Sequence, residues 1–582
     1  MRHPNRHHPS SSLLALVPGV LALGLGGTSW AQTPPDAGTQ RQQAEREHPL
    51  VLPGKQPPLR GDVTAPVARP GGTSVQVRSF HFSGNSQLSD AQLQRTVHDF
   101  VGRTLDVAGL QTAAAAVSKA YRDAGRVARV VLPQQTVAQG VVEIQIIEAR
   151  MGKVLIDGAD PKRVPTSLIL ATAGGSQVQG QPLDRDGLAR GVMLADDLPG
   201  VTIAGSLRRG QGPDETDLVL SVKDQPLFVG DAWVDNAGSR STGELRAAAR
   251  LTAESPLHQG DRFDALAIAS EGSKYLRTDF SLPVGARGAR LGVNASALKY
   301  RAVTSDFSAL AINGKSSGVG LDFGYPLLRT RSRNLFLSAE LDSVNFLNRA
   351  QGEVSSDYNV QSASLGLNGN LFDEIGGGGV NTASVSWISS TVDLSHSPSA
   401  ARDALTTRTN GHSNRLRYSL SRQQALPGPW GDALSFYAAY RGQWASKNQD
   451  SSNRFSLGGP AGVRAYPVDE GGGSKGQVLN LELRARLPHS LVLTGFADWG
   501  HVVVNADNAF ASANPAAGSA LPNAYSLKGA GLELAAALPH NGNLHLTWAH
   551  RIGSNPNPTA TGNDQDGSKV KNRLWLSLDY GF

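Results

Sequence analysis

The side chains with most chemistry to offer lie late in the chain. Gly458-Gly459-Pro460-Ala461-Gly462-Val463-Arg464-Ala465-Tyr466-Pro467-Val468-Asp469-Glu470 frames one cation between glycines and prolines, and a Gly-Gly-Gly-Ser run (471–474) follows. Downstream, Leu493-Thr494-Gly495-Phe496-Ala497-Asp498-Trp499-Gly500 presents one acid in a strand-like run. Guanidinium and carboxylate form short, charge-assisted and often two-pronged hydrogen bonds. The Arg464 loop is thus either a hairpin tip in solvent or an arm folded back onto Asp498. The rival motifs lack their context. Gly472-Gly473-Ser474-Lys475-Gly476 fits a nucleophile elbow, but that needs strand-turn-helix, and here a glycine run leads into a strand. Gly314-Lys315-Ser316 hints at a phosphate loop, yet Ala309 stands where the upstream glycine belongs. His545 and His550 sit an odd number of residues apart on a strand, so they face opposite sides and share no metal. These residues predict no enzyme, no cofactor and no metal.

The elements that must position Arg464 and Asp498 follow from composition and order. A chain of 582 residues holds several domains. The absence of cysteine removes disulfides and thiol chemistry. The formal charge of +6 is spread along the chain among acids, without a Lys/Arg block, so nucleic acid is not expected as a partner. Residues 1–31 read as a secretory leader, with Arg2 and Arg6, an apolar centre from Leu13 to Leu25, and Ser29-Trp30-Ala31 as cleavage site. Residues 32–74 are rich in Pro, Gln and charge and read as a tether, with a short polar helix or plug over Gln40 to His48 as the alternative.

From Val75 the order is β-α-α-β-β: a strand to Phe82, helices over 90–101 and 107–124, then strands over 127–132 and 141–148. The same order repeats after residue 151. Two small α+β domains, 75–150 and 151–224, are expected. Phe82-Ser83-Gly84-Asn85, Tyr121 with Gly125, and Pro133-Gln134 before Gly140-Val141-Val142 resemble a POTRA (polypeptide-transport-associated) domain. Such domains offer strand edges that can add an extended guest through backbone hydrogen bonds. Val127, Arg129, Val130, Val131 and Leu132 are the candidate docking edge; the alternative is a plain spacer.

Beyond Gln225 helical periodicity gives way to sixteen short alternating segments, at about 22 residues per strand and turn, which suits transmembrane hairpins. In Leu479 to Leu487 one face is Leu and Ala, the other Asn, Glu, Arg and Arg. So much sheet without covering helices leaves a closed barrel or a large sandwich. The leader and the chain end favour the barrel. Leu574 to Phe582 is apolar at every second position, and with Tyr580 and the closing Phe582 it resembles the terminal strand by which outer-membrane barrels are recognised for insertion. The fold class is mainly β, a 16-stranded antiparallel transmembrane barrel over 225–582 behind two POTRA-like domains.

Within that barrel Phe496, Asp498 and Gly500 share the lumen face, and if the long connection at 444–475 folds inward, Arg464 reaches Asp498 with both charges partly solvated. Val463-Arg464-Ala465-Tyr466 with Phe496-x-Asp498-x-Gly500 resembles the paired motifs of the two-partner secretion transporters (TpsB). The family usually has glycine where Ala465 stands, which puts the local loop geometry in question. The resemblance implies Arg464 and Asp498 as a lumen latch and Tyr466 as a packing anchor. It implies a monomeric barrel in the outer membrane of a Gram-negative bacterium, with periplasmic POTRA domains. The expected partners are a secreted exoprotein (adhesin, haemolysin or contact-dependent toxin), the barrel-assembly machinery during biogenesis, and outer-membrane lipid. The competing readings are a barrel-assembly factor of the same superfamily and a general porin.

Overall fold

The computed structural model describes residues 34–46, 52–54 and 74–582, except 138, 176, 213, 429–432 and 514–521. The leader at 1–31 and most of the stretch at 32–74 lie outside the described residues. The described part begins with helix α1 (Ala37–Glu45). A first α+β unit follows: β1 (Val75–Gln76), β2 (Ser79–Ser83), α2 (Asp90–Val97), β3 (Thr104–Leu105), α3 (Val107–Asp123), β4 (Ala128–Val131) and β5 (Val141–Glu148). The second holds β6 (Arg150–Asp157), α4 (Thr166–Gly174), α5 (Arg185–Asp196), β7 (Val201–Arg209) and β8 (Glu215–Asp224).

The two units share a topology. Their sheets run β2-β5-β4 and β6-β8-β7; each central strand is parallel to the first strand and antiparallel to the third. The helices cover one sheet face because their apolar residues recur at helical spacing. Leu93, Val97, Ala113, Val117 and Tyr121 pack on Phe80, Phe82, Val142 and Ile144. Capping fixes the helix starts: Ser89 and Gln92 form a reciprocal capping box, and Asp106 accepts from the Gly109 amide. Tyr121 donates to Glu148 at 2.7 Å, and Glu148 also accepts from the Ser86 and Gln87 amides. Burial pushes the Glu148 carboxyl up, but these donors outweigh it and hold its pKa below the usual value. That network ties the turn after β2 to the end of β5.

The remaining sheet is a closed sixteen-stranded antiparallel barrel. Its strands are β9 (Phe228–Asp235), β10 (Arg246–Glu254), β11 (Arg262–Ser270), β12 (Ser273–Val284), β13 (Ala289–Arg301), β14 (Asn313–Arg329), β15 (Arg333–Ala350) and β16 (Glu353–Asp373). The second half is β17 (Gly379–Asp393), β18 (Gly411–Ala425), β19 (Leu434–Ala445), β20 (Lys475–Leu487), β21 (Leu491–Val503), β22 (Ala524–Leu538), β23 (Gly542–Arg551) and β24 (Asn572–Gly581). The count is the sixteen expected from the alternating segments. β24 closes the ring on β9, and the terminal Phe582 exchanges two backbone hydrogen bonds of 2.9 Å with Gly230. Phe582 and Tyr580 stand exposed on the outer surface, alongside Val319, Leu341, Leu365 and Leu420, whose exposure is that of a lipid-facing band. Helical structure is not wholly absent after Gln225, as the periodicity had implied. The short helices α6 (Ser305–Ser308), α7 (Ala400–Leu405) and α8 (Ala509–Ala513) sit in connections between strands, too short to carry a periodic pattern.

The second α+β unit is seated on the barrel's near rim. Arg329, at the end of β14 with its side chain fully buried, makes two 2.8 Å hydrogen bonds to Asp197, just beyond α5. Arg190 donates to the Pro326 carbonyl at 2.6 Å, and Ser255 to the Arg163 carbonyl at 2.8 Å.

Candidate functional site: a loop and a helix inside the lumen

The connection between β19 and β20 does not project into solvent. It turns inward, and Arg464 meets Asp498, about 17 Å down β21 from its far end at ~3.3 Å per residue. Nε donates to Oδ2 at 2.9 Å, Nη2 to Oδ1 at 2.8 Å, and the Arg464 amide to Oδ2 at 3.0 Å. Two neighbours of the pair, Glu482 and Asn480, had no visible signal in the sequence. Glu482 of β20 accepts from Nη1 at 2.9 Å, and the guanidinium carbon lies 3.5 Å from the centre of the Phe496 ring. Asn480 of β20 donates to Asp498 and to the Gly462 carbonyl, so it braces both sides of the pair. Asn480 and Glu482 sit two residues apart on β20, as Phe496 and Asp498 do on the adjacent β21, as a shared lumen face requires.

The expectation of partial solvation is overturned. Arg464 is 6% exposed and Asp498 4%, because the loop brings its own apolar lid. Leu457, Val463, Ala465 and Tyr466 are fully buried against Val478, Phe496, Val502, Tyr525 and Leu527. Burying one such side chain is worth ~1.5–3 kcal/mol. Gly500 and Gly529 make room. A Cβ on Gly500 would come within 3.0 Å of Leu457 and Val463. One on Gly529, the strand partner of Asp498, would approach the Ala465 Cβ to 2.7 Å. Ala465 is absent from the residues of positive φ, so alanine meets no backbone penalty there.

The loop is also tied to the far rim. Trp575 Nε1 donates to the Arg464 carbonyl at 2.8 Å, and Arg551 lies 4.3 Å over the Tyr466 ring. Glu470, fully buried, accepts from Asn555 at 2.9 Å and from the Gln565 amide at 2.8 Å, both in the β23–β24 connection. Burial pushes the Glu470 carboxyl up to about 7, against the pull of those two donors.

The stretch read as a tether supplies a second obstruction. Residues Ala37–Glu45 are helical, three residues ahead of the Gln40–His48 signal, and Ala37, Gln40, Arg41, Gln43 and Ala44 are buried. Composition misleads here because a helix normally buries itself through apolar residues, whereas a barrel lumen is polar. Arg41 donates to Ser296 of β13 at 2.6 Å, Gln43 to the Ala237 carbonyl at 2.9 Å, and Thr242 donates to Gln40 at 2.9 Å. Ser451, in the β19–β20 connection, donates to Asp36, and Gln42 donates to the Arg454 carbonyl. Helix and loop thus touch one another.

Among the other predicted residues, β4 covers Arg129, Val130 and Val131, with Val127 and Leu132 flanking it. β4 is the outer strand of its sheet, hydrogen-bonded to β5 alone among the described residues. Ser474 donates to the Val504 carbonyl at 3.0 Å and accepts from the Gln449 amide, a structural bridge.

A closed outer-membrane barrel with α+β domains at one rim and an inward loop clamped by an Arg–Asp pair defines a class, the POTRA-barrel outer-membrane proteins. Within it, residues 214–522 match the model of the haemolysin secretion/activation protein family ShlB/FhaC/HecB, and residues 75–149 match the ShlB-type POTRA domain. The chain belongs to this family of outer-membrane transporters of two-partner secretion. It is 25% identical over 440 residues to the heme/hemopexin transporter protein HuxB of Haemophilus influenzae strain 86-028NP, covering 74% of this chain and 75% of that protein. It is 21% identical over 429 residues to the outer membrane transporter CdiB of Dickeya dadantii, covering 71% and 72%. Among solved structures, CdiB from Escherichia coli superposes with a TM-score of 0.67 at 19% identity, covering 93% of this chain and 96% of that one.

Proposed function

We propose that this chain exports one secreted polypeptide, received unfolded in the periplasm, through its barrel lumen to the cell surface. The observation that carries the reading is the build of the lumen. Its two obstructions, the Arg464 loop and α1, are held by non-covalent contacts alone, hydrogen bonds and ion pairs to the wall and, for the loop, a patch of apolar packing, and they touch one another. Such contacts release without covalent change and re-form with water or a passing backbone. The domain assignment we adopt is 75–150 and 151–224 as the two POTRA units and 225–582 as the barrel. The outer edge of β4 takes the incoming chain as an added strand. Arg464 and Asp498 serve as the latch and Tyr466 as its anchor, while Phe582 and Tyr580 form the signal read by the assembly machinery. No nucleotide is required, because folding of the exported chain outside draws it forward. Its chemical class is an extended polypeptide; HuxB is named for a heme/hemopexin system and CdiB only as a transporter.

The test compares culture supernatants and outer-membrane fractions from cells with the intact chain, without it, and with Arg464→Ala. Loss of one large protein from the supernatant with an unchanged outer-membrane profile supports export and identifies the partner. Joint depletion of many barrels would instead mark an assembly factor and sink the proposal.

A further inference from the structure

A cavity of about 510 Å³ lies in the lumen beside α1, and its walls carry opposite charge. On one side Glu340 and Asp342 of β15 face it; on the other stand Arg415 and Arg417 of β18 and Arg441 of β19. Most of the remaining cations on the cavity are engaged. Arg277 is paired with Asp279, Arg41 with Glu45, and Arg441 donates to the Ala461 carbonyl. Arg415 differs. It is 3% exposed, and its Nε and Nη1 have no hydrogen-bond partner among the described residues. The acid whose field reaches it is Asp450, but that carboxylate already accepts from Tyr358, Ser452 and Asn453. Arg417 presses a second positive charge toward Arg415 from the same face of β18.

An uncompensated buried guanidinium beside another cation is costly, and donors left unmade in a closed site carry the full desolvation penalty. Buried arginines elsewhere in the chain meet that penalty with partners: Arg246 has Asp235 and Arg551 has Asp564 in the barrel, and Arg329 has Asp197 at the rim. Nothing about β18 prevents an acid opposite Arg415, yet its registered neighbours are Ile388 on β17 and Ala445 on β19. Among the described residues no acid pairs with Arg415.

We infer that Arg415, with Arg417 and Arg441, forms an oxyanion-binding site on the basic wall of the lumen, taking a carboxylate or phosphate group on the Arg415 guanidinium, where Nη2 makes a fork with either Nε or Nη1. A two-pronged oxyanion matches the guanidinium fork. Ser384, Ser386 and Ser419 line the same cavity and supply neutral donors. Glu340 and Asp342 repel an anion from the opposite wall and so confine it to the β18–β19 side. Two sources share this chemistry: a free inorganic anion, or an acidic side chain of a polypeptide in the lumen.

The test uses the full-length chain in detergent micelles. Line broadening of inorganic phosphate in ³¹P NMR measures binding in the wild-type, Arg415→Gln and Arg415→Lys proteins. Heat-modifiable mobility on gels verifies that each barrel is folded. Phosphate is expected to bind the wild type, to weaken about tenfold or more in Arg415→Gln as the fork is lost, and to recover in part in Arg415→Lys. A capped hexaglutamate peptide is then added as competitor. Displacement of phosphate admits polypeptide carboxylates to the site; failure to displace it leaves the free anion as the ligand. Equal phosphate binding in folded wild type and Arg415→Gln, or none in either, overturns the assignment.

Discussion

Replacing Arg464 by alanine should release the inward loop by a calculable amount. The change deletes the 2.8 and 2.9 Å bonds to Asp498, the 2.9 Å bond to Glu482 and the contact with the Phe496 ring. It leaves the Asp498 side chain fully buried with only Asn480 and a backbone amide as donors. Breaking one side of a buried pair costs about 3–5 kcal/mol. Asn480 and the residue-464 amide still donate to the carboxylate, so the lower end applies, and ~3 kcal/mol corresponds to more than a hundredfold shift toward the released loop. Amide exchange by mass spectrometry reads this directly. The Val463 and Gly462 amides are bonded within the loop to Leu457 and Gly459, and their exchange should accelerate about a hundredfold. Asp498→Ala should act similarly, and the double variant should cost less than the sum, because each single change strands the other charge. Acceleration of less than about threefold in the folded Arg464→Ala barrel would refute the claim that this pair holds the loop.

Gly529→Ala should unseat the loop, since its Cβ would meet that of Ala465 at 2.7 Å, and Ala465→Gly in the same chain should restore protection. A spin label at an engineered Ala461→Cys, in a chain with no other cysteine, reports the pH response of docking. Docking raises the Glu470 pKa from about 4.5 to about 7, so the docked loop binds the proton more tightly than the released one. Docking is then strongest below about 4.5, weakens as pH rises to about 7 and is flat above it, and Glu470→Gln should remove the dependence. Arg329→Ala should free the second α+β unit from the rim, seen as new protease cleavage between residues 224 and 228, with the barrel's heat-modifiability unchanged.

Strand count and order were legible because a barrel writes its two-sided environment onto the chain every second residue, as in Leu479 to Leu487. The Arg464 loop was legible because glycines and prolines set it apart from the alternation on either side. Glu482 and Asn480 were not. In sequence they are ordinary polar positions of β20, and only the inter-strand register, which pairs Asn480 with Asp498 and Glu482 with Phe496, brings them to the guanidinium. The burial of α1 was hidden for a related reason. Gln40, Arg41 and Gln43 carry no apolar stripe, and a polar helix is buried only where a polar wall already exists. Arg415 reads as one more lumen cation until its neighbours Ile388 and Ala445 show that no acid faces it.

The most direct test of the lumen as conduit places a photoreactive residue at Ser386, which lines the lumen cavity, and separately at the adjacent Trp387 on the exposed outer face. In secreting cells the account predicts a crosslink between the exported polypeptide and position 386, and none at 387. Crosslinks at 387 alone, or at neither site while secretion continues, would contradict passage through this barrel.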